Sequence, residues 1–305
     1  MTNFMGKDGF VWFQGVVEDR NDPLKLGRCR VRCVGWHTNN KQDIPTNELP
    51  WAYPIQPITS AAMNGIGSSP TGPVEGTWVF GFFRDGESGQ EPMMIGTLGG
   101  IPETDPNIYL GFNDPNGVYP KADHLVEPDT NRLARNDGGN QHKIVDENGA
   151  KTNIDTDVAT ADGRTWSEPA TPYAAEYPKN HVRETESGHI IELDDTPDNE
   201  RIHIFHKDGS FEEYHPKGEK VVKVVADNYT IVMSNDHVHV KGVENLTVDG
   251  NCNIRVGGDA NIRVIGDCDT DVTGNYTLTS RTGDIRLITK TLVGPDGRRR
   301  GIFLN

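Results

Sequence analysis

Residues 236–280 read DHVHVKGVENLTVDGNCNIRVGGDANIRVIGDCDTDVTGNYTLTS. Val240, Val248, Val256, Val264 and Val272 recur every eight residues, and Gly242, Gly250, Gly258, Gly266 and Gly274 follow each valine by two. Asn or Asp takes the next position in four of the five units (Asn251, Asp259, Asp267, Asn275). Two positions before each valine stand Val238, Leu246, Ile254, Ile262 and Thr270. A fixed period of this kind marks a solenoid. Successive side chains of a strand point to opposite faces, so positions minus four, minus two and zero relative to each valine share one face. The glycine permits a bend and the Asn or Asp tolerates it, so each octad reads as one strand plus one corner.

The number of chains follows from the number of octads. One chain winding a triangular coil from five octads would complete fewer than two coils, too little stacking for a solenoid core. Three chains, each supplying one side of every layer, give about five layers around a closed apolar axis with few exposed strand edges. The pattern therefore predicts an intertwined, triple-stranded β-helix in a homotrimer. An antiparallel meander is the competing reading, disfavoured because the turn signal always keeps the same place relative to the valine. Seven acids and three bases over 236–280 give −4 per chain, so the surface of the shaft is polar and acidic.

Upstream, the composition predicts short strands. Phe10–Val17 is apolar and aromatic, and Leu26–Val34 alternates, with Arg28, Arg30 and Arg32 on one face and Cys29, Val31 and Cys33 on the other. That alternation predicts a strand with one wet side. Thr77–Phe83 and Met93–Thr97 are further strands, and Ile55–Ile66 between them is a surface loop. Five or so strands in about 100 residues predict a small closed barrel of the OB type. Residues 103–181 carry few large apolar side chains and cannot offset their chain entropy alone. Within them, the Pro-spaced stretch Trp166–Pro178 reads as a tether laid on another surface. From His181 hairpins follow: Ile190, Ile191 and Leu193 form one apolar patch, Ile202 and Ile204 another. Asp208-Gly209 and Lys217-Gly218 mark the turns.

The expected fold is thus all-β: an OB barrel over 1–102, an extended linker over 103–181, an antiparallel collar over 182–235, the β-helix over 236–280 and a tip hairpin over 281–305. In the last segment the octad register breaks at Gly283, and Ile285–Val293, the turn Pro295-Asp296-Gly297 and Gly301–Leu304 form the hairpin. Arg298, Arg299 and Arg300 are read as basic residues on a solvated strand end, with contact to phosphate headgroups or an acidic partner as the alternative.

Composition excludes several function classes. The chain of 305 residues has a net charge of −15, against a nucleic-acid binder, whose affinity rests on clustered Lys and Arg. Only 34 % of residues are hydrophobic, so part of the core is expected between chains. None of the four cysteines forms a Cys-x-x-Cys pair, and all are expected reduced. The N-terminal MTNFMGKDGF lacks the apolar run of a signal peptide, and no stretch approaches a membrane span, so assembly in cytosol is expected.

Trp12–Arg32 (WFQGVVEDRNDPLKLGRCRVR), Ile55–Gly67 (IQPITSAAMNGIG) and Thr71–Gly76 (TGPVEG) resemble the N-terminal OB domain of the central spike (baseplate hub) proteins of T-even-like contractile-tailed phages. Thr185–Pro197 (TESGHIIELDDTP), Glu200–Gly209 (ERIHIFHKDG) and the octads resemble the C-terminal β-helix of the same family, and type VI secretion spikes are similar at that end. The resemblance implies a virion protein of the tail baseplate. In it a hub protein sits above the barrel, and the needle is driven into the host outer membrane when the sheath contracts. A tip-capping protein at the C-terminus is a further implied partner.

The best-known members hold a lysozyme domain between barrel and needle. Residues 125–180 are too short and too polar for such a domain. Glu127, Asp146 and Glu147 have nothing nearby to build the two-carboxylate cleft that glycosidase chemistry needs. The expectation is a non-enzymatic chain with no cofactor. The alternatives are a spike-associated cell-wall or glycan hydrolase and a type VI-like secretion spike, whose large hub region before the barrel has no counterpart in the ten or so residues here. The His-x-His pair His237 and His239 is the one metal candidate; its parity is opposite to Val238 and Val240, which turns both rings to solvent. Cys252 and Cys268 share the inward parity of the valines and read as small core residues. The Arg28/Arg30/Arg32 stripe is assigned to an acidic hub surface or to local acids.

Overall fold

The computed structural model describes residues 10–137 and 154–288. The chain divides into two units, residues 1–247 and 248–305. The structure is all-β, with short 3-10 turns and no α-helix among the described residues, hence none long and apolar enough to cross a membrane.

Five strands, β1 (Val11–Asp19), β2 (Cys29–Cys33), β3 (Trp51–Pro54), β4 (Trp78–Phe83) and β5 (Pro92–Leu98), close into a barrel in the order β1-β2-β3-β5-β4. All pairings are antiparallel except β3–β5, which is parallel. The small closed barrel of the OB type, expected from five or so short strands in about 100 residues, is therefore present. Its interior is Phe13, Val17, Cys29, Val31, Cys33, Ala52, Val79, Phe83 and Met94. Gly81 lets β4 and β5 approach: a Cβ there would lie 1.9 Å from the Met93 carbonyl oxygen. Ile55–Ile66 lies outside the barrel strands and is largely exposed, the surface loop that the sequence suggests.

A second sheet has the order β12-β11-β10-β9-β8, antiparallel throughout: β8 (Asn180–Glu184), β9 (Ile190–Asp194), β10 (Arg201–Phe205), β11 (Phe211–Tyr214) and β12 (Lys220–Lys223). The turns at Asp208-Gly209 and Lys217-Gly218 carry Gly209 and Gly218 at φ +103° and +81°, the left-handed region that suits glycine. Ile190 is buried against Leu133 and Phe205, whereas Ile191 and Leu193 lie on the opposite face. The single patch expected from these three residues is thus split, because neighbours in a strand cannot share a face. Ile191 and Leu193 instead pair across the ladder with Ile204 and Ile202.

Between the sheets, the described residues of the segment expected as an extended linker hold the two-residue strands β6 (Val158–Ala159) and β7 (Thr165–Trp166), one 3-10 turn and, at its end, the first residues of β8. Its described parts are nonetheless fastened at both ends. Gly111 N donates to Asn39 O (2.8 Å) and Phe112 N to Glu18 Oε1 (2.8 Å) on the barrel side. Leu133 is buried in the core of the second sheet, Tyr173 Oη donates to its carbonyl (2.8 Å), and Thr171 Oγ1 donates to Glu213 Oε1 (2.8 Å).

Candidate functional site

The octads are the part of the chain whose chemistry is unfinished. From Val224 to Ile288 every residue is exposed and none belongs to a strand ladder. The backbone is nevertheless regular: two-residue bends fall at 225–226, 233–234, 241–242, 249–250, 257–258, 265–266 and 273–274, then at 281–283. The bends extend the period two octads upstream of Val240, to Val224 and Val232, with Ala226 and Ser234 where later units have glycine. None of Gly242, Gly250, Gly258, Gly266 and Gly274 has a positive φ, and a methyl group added at any of them would meet no atom within 4 Å. The bend itself therefore does not require glycine, which corrects the role read from the sequence and explains why Ala and Ser serve as well.

The seven valines Val224, Val232, Val240, Val248, Val256, Val264 and Val272 are 41–54 % exposed. Val238, Leu246, Ile254 and Ile262, two positions before a valine, are 75–91 % exposed. A row of aliphatic side chains at fixed spacing on strands without partners leaves both its apolar surface and its backbone N–H and C=O groups unsatisfied by the chain itself.

The second sheet repeats this inversion. Ile191, Leu193, Ile202, Ile204 and Val222 form an exposed face, 44–58 % accessible. The covered face is ionic. Arg201 Nη1 donates to Glu213 Oε1 (2.8 Å) and Nη2 to Glu192 Oε1 (2.7 Å), His203 Nδ1 lies 3.0 Å from Glu192 Oε2, and Asn180 Nδ2 donates to Glu192 Oε1 (2.9 Å). Burial pushes the Glu192 carboxyl up, but its bond with His203, the Arg201 charge and the Asn180 amide outweigh that and hold it below its ordinary value.

Three arginines organise the barrel end. Arg32, fully buried, donates from Nε and Nη2 to Glu18 (2.6 and 3.1 Å), from Nη1 to the Thr38 carbonyl (2.6 Å) and from Nη2 to the Ile44 carbonyl (2.8 Å). Glu18 also accepts from Thr46 Oγ1 (2.8 Å). Gly111 lies over this pair, since a Cβ there would sit 2.4 Å from Arg32 Nε. Arg28 grips Asp22 (Nη2–Oδ1 2.6 Å), which holds the Asp22 carboxyl well below the usual range, and lies over Trp51 and Tyr53. Arg30 donates to the Leu49 carbonyl and covers Trp51. The stripe expected on a wet face is thus spent internally, on local acids and aromatic rings, and is not a docking surface.

The model of the family described as the Gp5 N-terminal OB domain matches residues 35–202, more than half of the chain. This chain belongs to the Gp5 OB-domain family. It is 50 % identical over 269 residues to Protein Gp5 of Vibrio phage KVP40, which covers 78 % of this chain and 63 % of that protein. It is 54 % identical over 133 residues to the Pre-baseplate central spike protein Gp5 of Enterobacteria phage T4, which covers 42 % of this chain and 22 % of that protein. The chain thus spans less than two thirds of the length of either relative.

Within this Gp5-family chain, the remaining sequence candidates fall as follows. His237 and His239 are exposed, and no group of three or more His, Cys, Asp and Glu that could hold a metal is assembled among the described residues. Cys252 and Cys268 are exposed, whereas Cys29 and Cys33 are buried in the barrel, and burial pushes both of their thiols up to about 12. Glu127 is bound by Arg132 and Arg135, and the hydrogen bond from Arg132 holds its carboxyl down at about 2, the reverse of what a general acid needs. Asp146, Glu147, the Pro295-Asp296-Gly297 turn, Gly301–Leu304 and Arg298–Arg300 lie outside the described residues. Sequence reasoning missed the junction of Arg20, Glu75, Tyr119 and Glu186. Arg20 is paired with Glu186 (Nη1–Oε2 2.8 Å, Nη2–Oε1 2.9 Å) and with Glu75 (3.2 Å), and Tyr119 Oη donates to Glu186 (2.6 Å). No local pattern signals a cluster whose members come from four separate segments.

Proposed function

We propose that this chain is the central spike of a contractile phage tail baseplate. It works as a homotrimer whose octads braid into a triple-stranded β-helix that punctures the host outer membrane on sheath contraction. The observation that carries this reading is the row of seven valines, regularly spaced on unpaired extended segments. Three copies supply each other's missing ladders and close the valines around a common axis, each burial stabilising by about 1.5 kcal/mol or more. The bend glycines Gly242, Gly250, Gly258, Gly266 and Gly274, empty of neighbours within one chain, leave room for a second backbone at each corner. The exposed aliphatic face of the β8–β12 sheet favours the same partner, because Val222 and Val224 have one parity and join that face to the valine row.

The role is mechanical and not catalytic, and the protein resides in the virion baseplate after assembly in the host. The barrel is held by a hub protein. Residues 49–74 carry no Asp, Glu, Lys or Arg and expose Ile58, Met63 and Ile66, so a protein neighbour can cover them without desolvating any charge. The octad stretch runs over 224–280, a tip-capping protein belongs beyond it, and His237 and His239 stay on the solvent side without a metal.

Multi-angle light scattering of the purified chain tests the reading. A mass three times that of the 33.7 kDa chain, resistant to heat and detergent, is expected. A stable monomer ends the proposal.

A further inference from the structure

Asn180, Asp194 and Arg201 are direct cross-strand partners on β8, β9 and β10, on the covered face of the sheet. They are 4 %, 2 % and 2 % exposed. Among the described residues, four buried side-chain polar atoms have no hydrogen-bond partner, and three of them are Asn180 Oδ1, Asp194 Oδ2 and Arg201 Nε. Buried polar groups are otherwise almost always paired, so three in one row call for a common cause.

The other atoms of these side chains are already committed. Asn180 Nδ2 donates to Glu192 Oε1 (2.9 Å) and Leu133 O (3.3 Å), so turning the amide over would aim its oxygen at two acceptors. Asp194 Oδ1 accepts from Thr196 N (3.0 Å) and Thr196 Oγ1 (2.6 Å). Arg201 uses Nη1 on Glu213 and Nη2 on Glu192. The Nε–H of arginine shares an edge with Nη2, and in Arg28 and Arg32 that edge grips a whole carboxylate. In Arg201 the same edge holds one oxygen of Glu192 through Nη2 alone. Its Nε–H is left over on the β9 side, where Asp194 stands two residues from Glu192.

Two acceptors and one donor are the complement of one water molecule. We propose that a single structural water is bound between β8, β9 and β10, donating to Asn180 Oδ1 and Asp194 Oδ2 and accepting from Arg201 Nε–H. A monovalent cation would serve the two oxygens but leave the donor bare and set a positive charge beside the guanidinium. The water completes the ionic interior where Leu133 and Thr196 enter it, and it ties three strands together at one level.

A crystal structure of the full chain, at a resolution that shows ordered water, tests this. One density peak within hydrogen-bond reach of all three atoms is expected, without anomalous signal after a rubidium chloride soak. The proposal is overturned by the absence of a peak, by Asp194 bonded directly to Asn180 or Arg201, or by a peak that gains rubidium signal.

Discussion

Arg20 and Glu186, 166 residues apart in sequence, meet in a two-pronged ion pair that fastens the β1–β2 turn of the barrel to the β8–β9 hairpin of the second sheet. Tyr119, from the connecting segment, donates to the same carboxylate (2.6 Å). A polar connector with little core of its own therefore lies between two elements that are also joined directly.

Acid should loosen this junction before it unfolds either sheet. The hydrogen bonds of Arg20 and Tyr119 hold the Glu186 carboxyl down at about 2, from an ordinary 4.5. A depressed carboxyl contributes stability that is full above about 4.5 and is lost as pH falls toward 2. Glu186 is half exposed, so the pair is worth only about 0.5–1 kcal/mol. Because base-catalysed exchange of free amides itself slows in acid, the readout is the protection factor of the 185–189 turn, which should fall by about two- to fivefold across that window in the parent protein and be lower by about that factor already at neutral pH in Glu186→Gln. Equal protection in both at pH 7 would refute the junction.

The buried pair inside the barrel is a different case. Glu18 accepts from Arg32, Thr46 and the Phe112 amide, and neither charged side chain touches solvent. Glu18→Gln leaves the guanidinium without its counter-charge and should lower barrel stability by about 3–5 kcal/mol. The double variant Glu18→Leu/Arg32→Met should lose less than Glu18→Gln alone. Urea midpoints read by tryptophan fluorescence decide between the two outcomes.

Thiol counting separates one chain from three. Cys29 and Cys33 are buried with thiols raised to about 12, while Cys252 and Cys268 are exposed in the single chain. A monomer would show two fast-reacting thiols toward a disulfide reagent at pH 8. The trimer, with Cys252 and Cys268 on the valine face, should show none until it is denatured and then four.

Side-chain parity supplies the next check. Val256→Asp would set three carboxylates against each other on a desolvated axis, costing several kcal/mol per buried ion, and should abolish the trimer. Arg255→Asp, one residue away on the opposite face, should leave the mass by light scattering unchanged. Loss of the trimer in both variants would refute the assigned face.

The alternation at Cys29, Val31 and Cys33 made the barrel interior legible, because a two-residue period needs no partner to be read. The fate of Arg28 and Arg32 was not legible. Their partners come from a turn six residues away and a strand fourteen residues away, and the Gly111 cover comes from much farther. Taking glycine as the marker of each corner hid the octads at Val224 and Val232, where Ala226 and Ser234 fit the same bend. The polar composition of residues 103–181 reads as an extended linker, yet Leu133 within it is seated in the core with Ile190 and Phe205, against which Tyr173, Val182 and Phe211 pack.

Because the eight-residue bends begin right after Lys223, the phase of every later unit is inherited from β12. Length can then change only in whole quanta. In the proposed triple-stranded β-helix, adding or deleting eight residues would make a longer or shorter shaft of the same design, whereas one inserted residue would turn the entire distal row inside out. Reach in such a spike would change stepwise, by the gain or loss of complete rungs.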